Sequence, residues 1–335
     1  MSSNLSTIIG LGLIVATGLG LSWILSRRKK WRAVGNLSKI YIYPIKSGRY
    51  KEIDEAVCTP IGLSFNVGNG KLPLRDRVFV VYNSKTMAFL SGKVNPKMLP
   101  MNFEPKDDRT VIFSYPKKKN IEIILPDKPD DKMITMWKNE KIRINDCGDE
   151  VAKWVSDAVG GEDSEFRLGY FPVDEGWRRD ISYRKLEFEV FKNTNNKYTG
   201  AYSDLSSYNM VNKASFEDLN TRLTDGNKAK ILNFRPNFVI EGPKAYEEDN
   251  WHWIKIGDAV FERFRPCTRC VFTTIDCDTG EKNENIEPLS TLRKYRTMKM
   301  LGEDRIDPHT PVLGLNAGLY QGGKVKCGDI VYVSD

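Results

Sequence analysis

Histidine is nearly missing: the chain has two in 335 residues, His252 between two tryptophans and His309 after Pro308. Imidazole is the usual neutral-pH base and a frequent metal ligand. A Ser-His-Asp hydrolase or a histidine-rich zinc site would therefore have to use one of these two. The setting of His252 reads first as packing or surface. No HExxH pair occurs, and Gly68 to Lys71 lacks the spacing of a phosphate-cradling P-loop. No flavin or nicotinamide fingerprint is present either. The six cysteines are sparse and irregular, which excludes the disulfide framework of a small secreted domain and agrees with a reducing compartment. Glycine and proline, at 26 and 16, are near ordinary usage, which removes collagen-like and low-complexity classes.

Charge is absent from residues 1–26 and then abrupt, with Arg27, Arg28, Lys29, Lys30 and Arg32 in close succession. Those five account for most of the net charge of +7, so the remaining chain is nearly balanced. A nucleic-acid binder needs its basic surface on the folded part, because each neutralised phosphate contributes through counterion release. That class is disfavoured. Residues 8–25 (IIGLGLIVATGLGLSWIL) form an apolar run of 18, at the short end of the ~17–25 residues that span a bilayer. A cleaved signal peptide would carry its basic residues before the run; here they follow it. A buried core helix is a further reading. The expectation is a signal anchor over residues 1–34, with the bulk of the chain cytosolic by the positive-inside rule. A short span with a basic flank resembles anchors of the mitochondrial outer membrane.

Beyond the anchor, β-branched and alternating runs predominate: 39–43, 78–82, 110–114, 121–124, 142–144 and 238–240. Helical periodicity is confined to 149–159, to 215–223 behind a Ser-x-x-Asp cap, and to 290–297. Regular strand–helix alternation is lacking, so a doubly wound parallel sheet is not expected. The pattern predicts a β-rich α+β protein containing a barrel, with one region at 35–180 and a second at 181–335. IKIGDAVF at 254–261 and VKCGDIVY at 325–332 echo each other as two tight hairpins of that second region.

The densest chemistry lies in FRPCTRCVFTTID, residues 264–276. A zinc ribbon would need a second CxxC, and the chain has none. A thioredoxin-like pair should open a helix, whereas VFTTI reads as a strand. Two thiols simply packed in a barrel remain a third reading. Arg263, Arg265 and Arg269 weigh against it, since nearby cations favour thiolate, a soft transition-metal ligand. Clustered guanidiniums also grip phosphate in bidentate fashion. One soft ligand beside several anion grips suits a metal carried by a phosphate-bearing organic cofactor.

YPIKS at 43–47, LRDR at 74–77, NFRPN at 233–237 and CTRCVFTTID with DTG at 267–280 together resemble the MOSC-domain family. Their order, with the anchor, resembles its amidoxime-reducing branch, over residues 36–335. The resemblance implies a MOSC β-barrel preceded by a β-rich amino-terminal MOSC region, and a molybdenum–molybdopterin cofactor. It makes Cys270 the metal ligand and catalytic residue. Lys46, Ser47, Arg77, Arg235, Asn237, Thr268 and Arg269 match positions that contact the pterin or its phosphate. Leu205 stands where relatives often carry a hydroxyl, leaving Ser206 to substitute, and Asn316, counted with the cofactor contacts, falls where close relatives carry an aromatic. Implied substrates are amidoximes, hydroxylamines, hydroxamic acids, N-oxides and nitrite, with electrons from NADH through cytochrome b5 reductase and cytochrome b5. The alternative within the family is a cofactor carrier or sulfur-transfer protein using Cys267 beside Cys270; outside it, an outer-membrane docking protein with a structural thiol pair.

Overall fold

A computed structural model describes residues 29–126, 130, 132–137, 140–161, 164–171 and 178–334. The apolar run at 8–25 lies outside these residues, and so does the anchor expected there. No helix among the described residues is long and apolar enough to cross a membrane.

Seven strands close into a barrel: β1 (Arg32–Ile42), β2 (Tyr208–Asn212), β3 (Phe238–Glu241), β4 (Trp253–Ile256), β5 (Ala259–Thr268), β6 (Val312–Gln321) and β7 (Ile330–Ser334). Their order around the wall is β1-β3-β2-β6-β5-β4-β7 and back to β1. Every neighbouring pair is antiparallel except β2–β3. Period-two alternation does the sorting: Ile254, Ile256, Val331 and Val333 are buried, while Trp253, Lys255 and Tyr332 are only partly so. Strand β1 joins both edges because two register shifts bend it, between Ala33 and Gly35 and between Leu37 and Lys39. At Gly35 a Cβ would stand 2.0 Å from the Glu241 carbonyl oxygen, so only glycine allows β1 and β3 to approach there.

The amino-terminal region is a set of smaller antiparallel sheets. One holds Glu55–Thr59, Gly62–Phe65 and Leu74–Arg75; another pairs Phe79–Asn83 with Phe166–Tyr170. A three-stranded meander runs through Asn102–Pro105, Thr110–Tyr115 and Lys118–Ile124. Phe79 gathers them, its ring 4.8, 5.2 and 5.0 Å from those of Phe103, Phe113 and Tyr170. One continuous apolar core joins these side chains to Phe238, Phe261 and Val331 of the barrel.

Several local expectations need correction. IKIGDAVF is a hairpin, with Trp253 to Ile256 paired against Glu262 to Ala259. VKCGDIVY is not: Gly323–Lys326 pairs with Glu55–Thr59 in the amino-terminal sheet, and only β7 returns to the barrel. The two regions thus exchange strands, β1 going one way and Gly323–Lys326 the other. Helix Lys213–Thr221 begins before Ser215, capped by Asn212, whose side-chain oxygen accepts from the Ala214 N–H at 3.1 Å. Ser215 instead donates to the buried Glu248 carboxylate at 2.9 Å. Val271–Thr274, read as a strand, is a single 3₁₀ turn following Cys270.

Candidate functional site

The YPIKS segment leaves β1 and turns back against the Phe79 strand, the Lys46 N–H donating to the Phe79 carbonyl at 2.7 Å. Asp76 is buried beneath it and accepts from the Tyr43 N–H at 2.9 Å. Arg77 pairs with Asp76, and its own N–H donates to the Tyr43 carbonyl at 2.6 Å. From the second region, Arg235 comes to the same ring: the Arg77 and Arg235 guanidiniums lie 4.7 and 4.1 Å from the Tyr43 centroid. Arg235 Nη1 donates to the Gly48 carbonyl at 3.0 Å. Its Nη2 is buried with no hydrogen-bond partner among the described residues. Burial pushes this guanidinium down to about 10, and the Arg77 cation adds to the effect.

Lys46 lies deeper, its ammonium donating to the Tyr202 carbonyl at 2.9 Å and to the Asp204 carboxylate. Burial lowers the Lys46 pKa, with Asp204 opposing. Asp204 itself is open to solvent, 74% exposed, yet ringed by protein charge. Burial would raise its carboxyl; Lys46, Arg77 and Arg179 outweigh that and hold it below the usual carboxylate range. Arg179 fastens this loop from behind. It grips Glu140 at 2.8 and 3.0 Å, both side chains 1% exposed, and its remaining nitrogen donates to the Ser203 carbonyl. Ser47 adopts φ 64° and accepts from the Gly92 N–H at 3.0 Å. A Cβ on Gly92 would stand 2.7 Å from the Phe272 ring, so that approach too requires glycine.

These groups face a cavity of about 340 Å³ between the two regions, within the ordinary range for small-molecule sites. All ten residues anticipated for cofactor contact line it: Lys46, Ser47, Arg77, Ser206, Arg235, Asn237, Thr268, Arg269, Cys270 and Asn316. Their polar heads are used differently. Arg269 is saturated by the Leu313 and Phe234 carbonyls and by Asn209 Oδ1. Asn237 donates to the Tyr41 carbonyl at 3.2 Å, and the Ser206 hydroxyl donates to the Tyr208 carbonyl at 2.9 Å. These three brace the wall. Among the described residues, seven basic side chains line the cavity against two carboxylates, Asp204 and Asp307. Of the nine non-glycine residues with left-handed backbone among those described, Ser47, Arg77, Arg235 and Asp307 line it as well, and strain of this kind gathers at ligand sites.

The thiol differs from expectation. Cys270 is accessible from the cavity and Cys267 is buried beside it, both reduced. Burial pushes the Cys270 thiol above its ordinary value; Lys93 and Arg269 pull it down less strongly. The arginines counted on to form thiolate are engaged elsewhere. Arg263 donates to the Asp249 carbonyl, and Arg265 sits 3.8 Å from Asp307. Sequence spacing showed the cations but not their partners.

Lys93, Trp137, Arg184 and Asp307 also line the cavity and carried no local signal, because each arrives on a separate loop. Asp204 was visible within the YSDLS segment as the residue before Leu205, but nothing there marked it as the partner of Lys46. Neither histidine lines the cavity; His252 is half exposed, 3.7 Å from Glu262. Asp276, Cys277 and Asp278 bring ligand atoms within 4.8 Å of one another, but Lys230 reaches both carboxylates, at 2.9 and 2.6 Å. One of its two carboxylate charges is offset internally, and nothing further points to an ion there.

The geometry can be set beside known proteins. The family pattern described as MOSC domain matches residues 197–332, and that described as MOSC N-terminal beta barrel domain matches residues 34–162. Mitochondrial amidoxime-reducing component 1 of Mus musculus is 33% identical over 307 residues, covering 92% of this chain and 84% of the relative. The Homo sapiens protein of the same name is 33% identical over 316 residues, with 93% and 87% covered. Mitochondrial amidoxime reducing component 2 of Bos taurus is 33% identical over 313 residues, with 91% and 85% covered.

Proposed function

The chain belongs to the MOSC-domain family, alongside proteins named mitochondrial amidoxime-reducing components, and from that premise we propose that it is a molybdenum-dependent oxidoreductase acting on N-hydroxylated compounds. The observation that carries this reading is the excess of cations over carboxylates that line the cavity, among the described residues, around a single accessible thiol. An uncompensated buried charge is costly, and Arg235 Nη2 lacks a partner among the described residues. A phosphate-bearing ligand removes both costs, so the residues present fit a molybdenum–pterin cofactor.

In this reading Lys46, Arg77 and Arg235 hold the anionic part by charge-assisted hydrogen bonds, and Ser47 and Thr268 add hydroxyl contacts. Arg269, Asn237 and Ser206 keep the wall in place through the backbone bonds described above. Cys270 is the one protein ligand to the metal. Its raised pKa means that a proton leaves when the metal binds, the general cost of thiolate ligation. When bound, the cofactor supplies two-electron reduction of the N–O bond. Phe272, Leu205 and Trp137 give the cavity its apolar surface. No flavin or nicotinamide fingerprint occurs in the sequence, so electrons come from outside. NADH, cytochrome b5 reductase and cytochrome b5 are the donors in this proposal, and the location is the cytosolic face of the mitochondrial outer membrane.

The test pairs elemental analysis of the full chain with benzamidoxime reduction by the reconstituted donor chain. Cys270→Ala is expected to fold, to lose activity by at least a hundredfold on the scale of a removed metal ligand, and to lose molybdenum. A folded variant with full activity overturns the assignment. A second reading draws on Cys267, which lines the same cavity: a carrier or sulfur-transfer protein would retain molybdenum and reduce nothing.

A further inference from the structure

The outer wall of the barrel has one aromatic surface unrelated to the cavity. Alternation along β4 and β7 turns Trp253, Lys255, Ile330 and Tyr332 outward. Register sets Tyr332 beside Lys255 and Ala33, and Lys255 beside Val260. The Tyr320 ring meets Trp253 edge-on at 5.1 Å and is 61% exposed; Ile330 is 47% exposed. Lys29 lies over this pair, its ammonium 3.7 Å from the Trp253 centroid and 5.4 Å from that of Tyr320. The nearby carboxylates are engaged: Glu247 with Arg32 at 2.8 Å, and Glu262 with the Tyr198 hydroxyl at 2.6 Å and near His252. The surface is therefore aromatic and cationic.

Its position along the chain says what covers it. The apolar run ends at Leu25 and Lys29 is four residues on. Four residues reach at most ~14 Å when fully extended. If residues 8–25 enter a bilayer, the Lys29 backbone is held within that distance of the hydrocarbon edge, and Trp253 and Tyr320 lie one lysine side chain beyond it. Tryptophan and tyrosine partition to this layer, and lysines beside it gain from anionic lipid. We propose that the barrel wall bearing Trp253, Tyr320, Tyr332 and Ile330, with Lys29 and Lys255, rests on the headgroup layer of an anionic membrane. The inference rests on the anchor reading of residues 8–25 and is independent of the chemistry in the cavity. It also fixes where the cavity lies. Trp253 pairs with Glu262 on β5, and Thr268, on the cavity wall, is six residues further along that strand. At ~3.3 Å per residue the cavity is displaced by about 20 Å along the strand from the lipid contact, leaving it open to soluble partners.

The test uses the full chain in phosphatidylcholine–phosphatidylserine vesicles whose phosphatidylcholine carries bromine high on the acyl chain, where it quenches only neighbouring indoles. Trp253 is one of seven tryptophans. Trp253→Phe is expected to shrink the quenched emission by roughly that indole's share. Tyr320→Glu, on an exposed position, keeps every tryptophan and is expected to lower quenching as well, by placing a carboxylate against the headgroups. Unchanged quenching in both variants overturns the proposal. Failure of the unaltered chain to bind vesicles overturns it together with the anchor. Loss or presence of N-reductase activity bears on neither outcome, so the two readings fail separately.

Discussion

Cys270 carries opposed influences: enclosure by protein, joined by Asp204, disfavours the thiolate, while the Phe272 N–H, Lys93 and Arg269 favour it less strongly. Enclosure wins, so its folded pKa lies above the ordinary 9.0. The ligand-free protein should therefore alkylate slowly at Cys270 near neutral pH, and the rate should rise with pH and still be rising at pH 9. Timed iodoacetamide labelling read peptide by peptide checks this; fast labelling at neutral pH would contradict it. Arg235 is the converse case. Its buried guanidinium is incompletely bonded and its charge is opposed by Arg77. Arg235→Met should leave the ligand-free melting temperature equal or higher, because a desolvated cation is removed. The same change should weaken cofactor retention by about tenfold or more, the value of one lost hydrogen bond to a charged group. Molybdenum content after extensive dialysis is the measurement.

At the scale of elements, the sheet of Asn145–Asp146, Phe166–Tyr170 and Phe79–Asn83 is fastened by Asp146. Its carboxylate takes Arg167 Nε at 2.7 Å from the adjacent strand, the Tyr82 hydroxyl from the next, and the Gly148 N–H at 2.9 Å. Burial would raise this carboxyl, but Arg167, Tyr82 and Gly148 outweigh it and hold it at about 2, below the ordinary 3.8. A depressed folded value means that the stabilisation is complete above about pH 4 and is lost as pH falls towards 2. Asp146→Asn should cost about 1–3 kcal/mol at pH 7, because Arg167 keeps its 2.8 Å pair with Asp149. The deficit should shrink below pH 3, as urea titrations at both values would show. The helix Lys213–Thr221 illustrates a limit of local reading. Ser215 fits a capping motif, yet Glu248, brought in from a distant turn, claims its hydroxyl and leaves the cap to Asn212.

Taken as a whole, the molecule does not separate at a single point in the sequence. Strand β1, at the start of the chain, closes the barrel of the second region, and Gly323–Lys326, near its end, completes a sheet of the first. Breaking either region removes a strand from the other, so the two should unfold together. Calorimetry is expected to give one transition with matching calorimetric and van't Hoff enthalpies; two resolved transitions would refute the coupling. A fragment starting at residue 181 lacks β1, exposes the edges of β3 and β7, and should aggregate rather than form a barrel.

Sequence alone determined the features that depend on neighbouring residues. Alternation marked the strand at 110–114, and β-branched and aromatic runs marked those at 39–43, 78–82 and 238–240, which are buried on both faces. The same local reading found Cys270 with Arg265 and Arg269, while Lys46, Arg77 and Arg235 came from the resemblance to the MOSC-domain family and Lys93 and Arg184 only from the fold. Tertiary structure decided everything that depends on a partner far along the chain. It sent VKCGDIVY into two sheets, because strand pairing is settled by whichever edge is open. It turned Arg269 to the backbone and left Arg235 unsatisfied, because hydrogen-bond partners are assigned by the folded wall. It raised the Cys270 thiol where a row of arginines had promised the reverse, because desolvation depends on what surrounds a group in space and not on what precedes it in the chain.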